Sequence, residues 1–412
     1  MTDLGNDEIS LPQKANQATL INTLPFIASL IFAAVMFSQA IYNAGLYLIP
    51  IMRGQFTFQV NIMLKTFLTA AATSTLVFAI LHLLGKNENL LLREERHVET
   101  NKIGIAGLVI GGVLLGAGMN LAGACPGTLP VQVGSGFFPN GLYTILGAMI
   151  GAMIFITLKP SIQKIQQYGD FTKGGDSNIN ESESDDDAAL NYDQEIVEEN
   201  KHRYTIYQWT GYNHIIVRLA FSALFFSAAI VTEILSPGIG NISPSVKKEI
   251  LDGLWSPFIC GPMIGILQLP LMLFGGKHLG STPAYITTTK LVFSILPWLP
   301  ERLRMTKISL DSTWEFLYVY TAGIVTLIFA AFIWPSFQMS NRFPYDGSVD
   351  ITIAEQIIGG ILIVFGAKLA SGCTSGHGIS GMGHLRTKSF IAVASMFAGG
   401  ILINIYYLWY YV

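Results

Sequence analysis

Two phrases in this chain could handle a small anionic solute: Gly123-Ala124-Cys125-Pro126-Gly127-Thr128 and Ser371-Gly372-Cys373-Thr374-Ser375-Gly376-His377. They hold two of the three cysteines; the third is Cys260, in Phe258-Ile259-Cys260-Gly261-Pro262. A thiol is a weak donor and a soft, polarisable acceptor, so it suits contact with sulfur. Proline and clustered glycines cannot continue a helix, and each phrase therefore reads as a helix end followed by a turn back. In an apolar setting the freed N–H groups must be met by protein, water or solute. Exposed N–H groups and helix N-termini favour an anion there. Thr128, Thr374, Ser375 and His377 add polar groups that are costly to bury unless they have a purpose.

Each candidate has a plainer reading beside it. A lone cysteine in an apolar helix is more often a small packing residue, and that comes first for Cys260, which is kept as a pathway candidate all the same. Lys65 and Lys368 fall inside apolar runs, where a cation is a candidate attractor for a divalent anion. Lys65 could instead snorkel to the interface. Cys373, His377 and His384 do not make a zinc site, because no second Cys/His pair stands at ligand spacing and a structural site wants four ligands. His377 is better placed to hydrogen-bond within its own turn or to line the path. No metal or cofactor is expected.

The elements that must position these groups are set by composition. The chain has 12% charged residues against 51% hydrophobic and a mean hydropathy of +0.48, which excludes an ordinary soluble domain and points to the bilayer. A net charge of −3 and the absence of any Lys/Arg cluster interleaved with aromatics exclude nucleic acid as a partner. Runs of about 20 mostly apolar residues lie near 24–50, 60–84, 103–123, 139–158, 213–236, 255–275, 315–335, 353–371 and 388–411. They predict nine spans. A tenth run, Leu291–Leu299, is closed by Pro297 and Pro300 and reads as a partial or interfacial helix. No basic n-region or cleavage site precedes the first span, so it is expected to stay.

Nine spans place 1–23, 85–102, 159–212 and 276–314 on one face, with fifteen Lys and Arg, and 51–59, 237–254 and 336–352 on the other, with four. By the positive-inside rule the N-terminus and the central loop are cytoplasmic in a multi-pass cell-membrane protein. The stretch from Asp170 to Asn200 carries eleven acidic residues against one Lys and cannot bury enough surface to fold. It reads as a solvated linker. Glu233 and Glu355 sit near span ends, and no acidic residue stands at mid-membrane to relay protons.

The cysteines are also related by an internal repeat. Gly111-Gly112-Val113-Leu114 falls on Gly359-Gly360-Ile361-Leu362, and the same offset of 248 matches Gly118 to Gly366, Leu121-Ala122 to Leu369-Ala370 and Cys125 to Cys373. The predicted organisation is a polar N-terminal segment (1–23), a first membrane repeat (24–158), the acidic linker (159–212), a connecting helix (213–236) and a second repeat (253–411). Because the connecting helix crosses once, the second unit enters from the opposite face. The expected fold is an all-α integral membrane protein of two inverted repeats, with short re-entrant helices at the cysteine loops. Such repeats commonly enclose a solute site near the midplane.

The phrases Leu121-Ala122-Gly123-Ala124-Cys125-Pro126-Gly127-Thr128 and Leu369-Ala370-Ser371-Gly372-Cys373-Thr374-Ser375-Gly376-His377-Gly378, with Met63-Leu64-Lys65-Thr66-Phe67-Leu68 and Gly261-Pro262-Met263-Ile264-Gly265, resemble the YeeE/YedE sulfur-transport family. The resemblance spans both halves. It implies a transporter, not an enzyme, that takes up thiosulfate along a narrow path where cysteines, here Cys125 and Cys373, pass the terminal sulfur by S–H···S contacts. A soluble sulfurtransferase is a candidate partner. Many members carry another cysteine near the start of the first unit, where this chain has Asn43, Ala44 and Gly45. Two rivals stay open: a membrane thiol oxidoreductase or sulfurtransferase using a disulfide or persulfide, and a channel for another small anion or neutral solute.

Overall fold

The computed structural model describes residues 11–83, 104–136, 138–169, 205–237, 254–275, 277–295, 313–333 and 351–411. The acidic stretch from Asp170 to Asn200 and the polar loops near 85–102 and 336–350 lie outside them, whereas the two ends of the expected 159–212 linker are helical, up to Gly169 and again over Ile206–Thr210. The first half comprises α1 (Leu11–Asn43), α2 (Ile49–Gly54), α3 (Ile62–Leu83), α4 (Ile105–Ala122), α5 (Leu129–Gly134) and α6 (Phe138–Gly169). Next come α7 (Ile206–Thr210) and α8 (His214–Leu235), then α9 (Pro257–Ile266), α10 (Gln268–Gly275), α11 (Thr282–Ile295) and α12 (Thr313–Ile328). A π-helical turn, π1 (Phe329–Ile333), extends α12, and α13 (Ile353–Leu369), π2 (Thr374–Gly381) and α14 (Thr387–Tyr411) complete the chain. Among the described residues the sole β pairing is a single bridge between Thr205 and Arg386.

Among the described residues seven helices are long and apolar enough to cross a bilayer, and α13 with π2, bent by 45°, makes an eighth if counted as one broken span. Seven or eight of the nine expected spans are thus present among the described residues. The stretch read at 315–335 forms α12, whose apolar part, Phe316–Ala331, is shorter than a full span and runs into π1. Two further boundaries shift. The polar N-terminal segment is helical from Leu11. The described part of the short run, up to Ile295, is the end of α11, which starts at Thr282 and was hidden from a hydropathy scan by Thr287, Thr288, Thr289 and Lys290.

The centre is four helices. α4 and α13 cross antiparallel with their glycines face to face, Gly111 against Gly366 and Gly118 against Gly359. A Cβ on any of the four would sit 2.7–2.9 Å from the carbonyl oxygen opposite. Only glycine permits backbones this close, as in small-residue packing of membrane helices generally. α6 packs on α13 and α14 on α4: Gly360 meets the Thr144 carbonyl as Gly112 meets that of Ala392, and Gly151 meets Ile361 as Gly399 meets Val113. Each contact becomes its counterpart when 248 is added to one residue and subtracted from the other.

The C-terminal end of α4 is fastened from outside the four. Arg53 donates from Nε to the Asn120 carbonyl at 2.7 Å and from Nη2 to that of Leu121 at 2.6 Å, meeting carbonyls that have no partner within the helix. The same guanidinium lies 3.8 Å from Glu355, to which Tyr407 donates a short hydrogen bond. Around the centre, α8 buries Val217, Ser222, Phe225 and Ala229 against α3 and turns Ile216, Leu219, Ile230 and Ile234 outward. An exposed apolar face on a helix of this length fits lipid contact.

Candidate functional site: the paired thiols

α4 ends at Ala122 because Gly123 takes a left-handed φ of 62°, the usual helix C-cap conformation. The chain then turns through Cys125, and Thr128 closes the turn. Its Oγ1 accepts from the Cys125 N–H at 2.9 Å, and its own N–H donates to the Cys125 sulfur at 3.4 Å. α5 starts at once, with Pro130 in its first turn, and is tied down by Gln132, whose Nε2 donates to the Tyr47 carbonyl at 3.0 Å. Gly127 is needed for space. A Cβ there would stand 3.2 Å from both the Phe37 ring and Ser281 Oγ.

The second turn uses the same device with different residues. Ser371 adopts a φ of 62°, unusual for a residue with a side chain, and Cys373 precedes π2 in an extended conformation. The Cys373 sulfur and Ser375 Oγ share a hydrogen bond at 3.2 Å, and Ser375 Oγ is 3.4 Å from Ser281 Oγ. His377 staples the turn: Nε2 hydrogen-bonds the Ala370 carbonyl at 2.9 Å and Nδ1 bonds Ser389 Oγ at 3.2 Å. Both ring nitrogens are therefore engaged inside the hairpin. Among the described residues no group of three or more His, Cys, Asp or Glu is placed to hold a metal.

Cys125 and Cys373 are free thiols, both buried, in one apolar cluster with Tyr285, Ile363 and Ala370. Thr374 stands beside the Cys125 thiol, so the second hairpin offers a hydroxyl to each cysteine of the pair. Tyr285 lies near both thiols and donates to the Pro126 carbonyl at 2.7 Å. Next to Thr374 is a cavity of about 20 Å³, room for a water, bordered by Met63, Met119 and Met396. The groups named around the thiols are hydroxyls, amides and thioethers. They can donate weak hydrogen bonds and soft contacts, and none of them carries a formal charge.

The other sequence candidates are placed elsewhere. Cys260 is buried in a different cluster, with Ala44 and Tyr318, on a helix packed against α3. Lys65 is fully buried and donates to Glu233 at 2.6 Å and to the Ser236 carbonyl at 2.6 Å, so its charge is met by the end of α8. Lys368 is half-buried on the last turn of α13. Sequence reasoning missed Ser281, Thr282, Tyr285 and Tyr318. The Ser-Thr-Pro at 281–283 and the threonine run that follows were the available signal, since hydroxyls cluster there beside a short apolar run.

Fold and site together define a polytopic helical membrane protein in which two glycine-packed segments each bring one thiol to a buried, hydroxyl-lined point. One known family matches most of the chain. The chain belongs to the Sulphur transport family, whose profile matches residues 44–402. A shorter stretch is 36% identical over 61 residues to a protein of Xylella fastidiosa (strain 9a5c) described as a probable transporter, covering 15% of this chain and 44% of that relative. The match thus spans less than half the relative's length.

Proposed function

We propose that the protein takes up thiosulfate, or a closely related thio-oxyanion, along a path that passes Cys125 and Cys373. The observation that carries the reading is the meeting of two symmetry-matched cysteines in one buried cluster, each beside a hydroxyl. A thiol can contact a terminal sulfur without the full dehydration that a charged binding group would demand. The paired glycine contacts support two inverted repeats related by an axis between α4 and α13, since interchanging the repeats returns the same set of contacts. The excess of Lys and Arg on one face supports a cytoplasmic N-terminus and central loop. Lys65 is neutralised by Glu233, and Lys368, half-buried just before the second cysteine turn, stays in this reading as a candidate to attract the anion.

The test is uptake of radiolabelled thiosulfate and sulfate into proteoliposomes, with and without a proton gradient. Thiosulfate should enter and sulfate, which lacks a terminal sulfur, should not. Equal entry of both would leave a general anion channel. Chemical turnover of thiosulfate by the detergent-solubilised protein would favour a sulfurtransferase.

A further inference from the structure

A thiol can meet one end of a thio-oxyanion only. The oxygens at the other end lose their water in a buried path and must find donors. Two hydroxyls beside Cys373 have the required character. Tyr318 Oη and Thr282 Oγ1 belong to side chains 1% and 3% exposed, and neither atom has an oxygen or nitrogen partner among the described residues. Tyr318 lies within electrostatic reach of the Cys373 thiol, and Thr282 Oγ1 stands against that thiol, in weak hydrogen-bonding contact with it. They come from separate helices, α12 and α11, so they approach from different directions.

Burying a polar group without a partner costs stability, and nearly all such groups in proteins are satisfied. The neighbouring tyrosines obey that rule: Tyr285 donates to Pro126, and Tyr320 shares a 2.7 Å hydrogen bond with Thr288. The Tyr318 ring is held in place, its centroid 5.4 Å from that of Phe37, and Phe37 in turn borders Gly127 of the first cysteine turn. Thr282 opens α11 directly after Ser281, which touches Ser375. The two unsatisfied hydroxyls are therefore rigidly mounted at the meeting point of the hairpins.

We propose that Tyr318 and Thr282 form an oxygen-recognising site beside Cys373, donating hydrogen bonds to the oxyanion end of the solute while its terminal sulfur touches the thiol. This rests on the thio-oxyanion reading above. The pair makes the site selective for a solute with both a soft sulfur and hard oxygens, against bare sulfide, which has no oxygens.

Tyr318→Phe and Thr282→Val remove one hydroxyl each and keep shape. In the full chain in proteoliposomes, each should raise the KM for labelled thiosulfate about tenfold, the factor expected for one hydrogen bond to a charged solute. Thr282→Ser should retain the wild-type value. Melting temperature in detergent should not fall for Tyr318→Phe, whose hydroxyl has no partner in the empty protein, and should change little for Thr282→Val, whose hydroxyl has only a weak contact with the Cys373 thiol. A KM within twofold of wild type for both would overturn the inference, and the Thr282 pair decides it alone if Tyr318→Phe fails to fold. Absence of thiosulfate uptake by the wild-type protein would sink the underlying reading instead. Cys373→Ser in parallel reports on the sulfur contact alone.

Discussion

Replacing Arg53 with methionine should destabilise the protein by about 4 kcal/mol and impair transport through a residue that touches no solute. The guanidinium makes two charge-assisted hydrogen bonds, at 2.7 and 2.6 Å, to the Asn120 and Leu121 carbonyls. Bonds of this kind contribute roughly 1.5–3 kcal/mol each, and the lower figure applies because the side chain is 18% exposed and water can replace part of the loss. The 3.8 Å pair with Glu355 adds little, about 0.5 kcal/mol, since both partners see solvent. Stacking over Tyr407, at 5.9 Å, adds a similar amount. Arg53→Lys should recover about half, since an ammonium lacks the planar fork that reaches two carbonyls at once. Denaturation in mixed micelles gives the stability and proteoliposome uptake gives the transport. A loss below about 0.5 kcal/mol for Arg53→Met would refute the reasoning that this side chain caps α4 and so fixes the start of the Cys125 turn.

Glu233→Gln should be more damaging than the double variant Glu233→Gln with Lys65→Met, because the single change leaves a buried cation with one carbonyl partner; a double-mutant cycle on melting temperature reads this. If Lys65→Met instead abolished uptake with stability intact, the lysine would belong to the solute path. Gly118→Leu and Gly366→Leu should each prevent assembly of the α4–α13 core, and the matched alanine variants should cost several kcal/mol by similar amounts, since their neighbours are equivalent. Unequal costs, measured by thermal unfolding, would argue against the pseudo-twofold packing. Cys260→Ala should cost about 1 kcal/mol and leave the KM for thiosulfate within twofold, in keeping with a packing role in a separate cluster.

The cysteine turns and their helices were legible because glycine, proline and cysteine are rare punctuation in apolar runs, and because the 248-residue offset ties them together. His377 was also readable as a turn staple from its place between glycines. What could not be read was partnership at long range. Lys65 looks like an unpaired intramembrane cation until α8 brings Glu233 to it from 168 residues away. α11 was missed because hydropathy scanning discounts Thr287, Thr288 and Thr289, although a threonine in a helix can satisfy its hydroxyl on a carbonyl four residues back, as Thr288 does on Ala284 and Thr289 on Tyr285. Tyr318 gives no local signal. Its importance comes only from the packing of α12 beside the cysteine turns, which brings its hydroxyl within electrostatic reach of Cys373.

The central claim is tested most directly by labelled-thiosulfate uptake into proteoliposomes carrying the wild type, Cys125→Ser or Cys373→Ser. Serine keeps the shape and the hydrogen bond to Ser375 or Thr128 but removes the soft sulfur contact. The account predicts that each serine variant folds with a near wild-type melting temperature and loses at least tenfold in uptake. Unchanged uptake in the double Cys125→Ser, Cys373→Ser protein would contradict it.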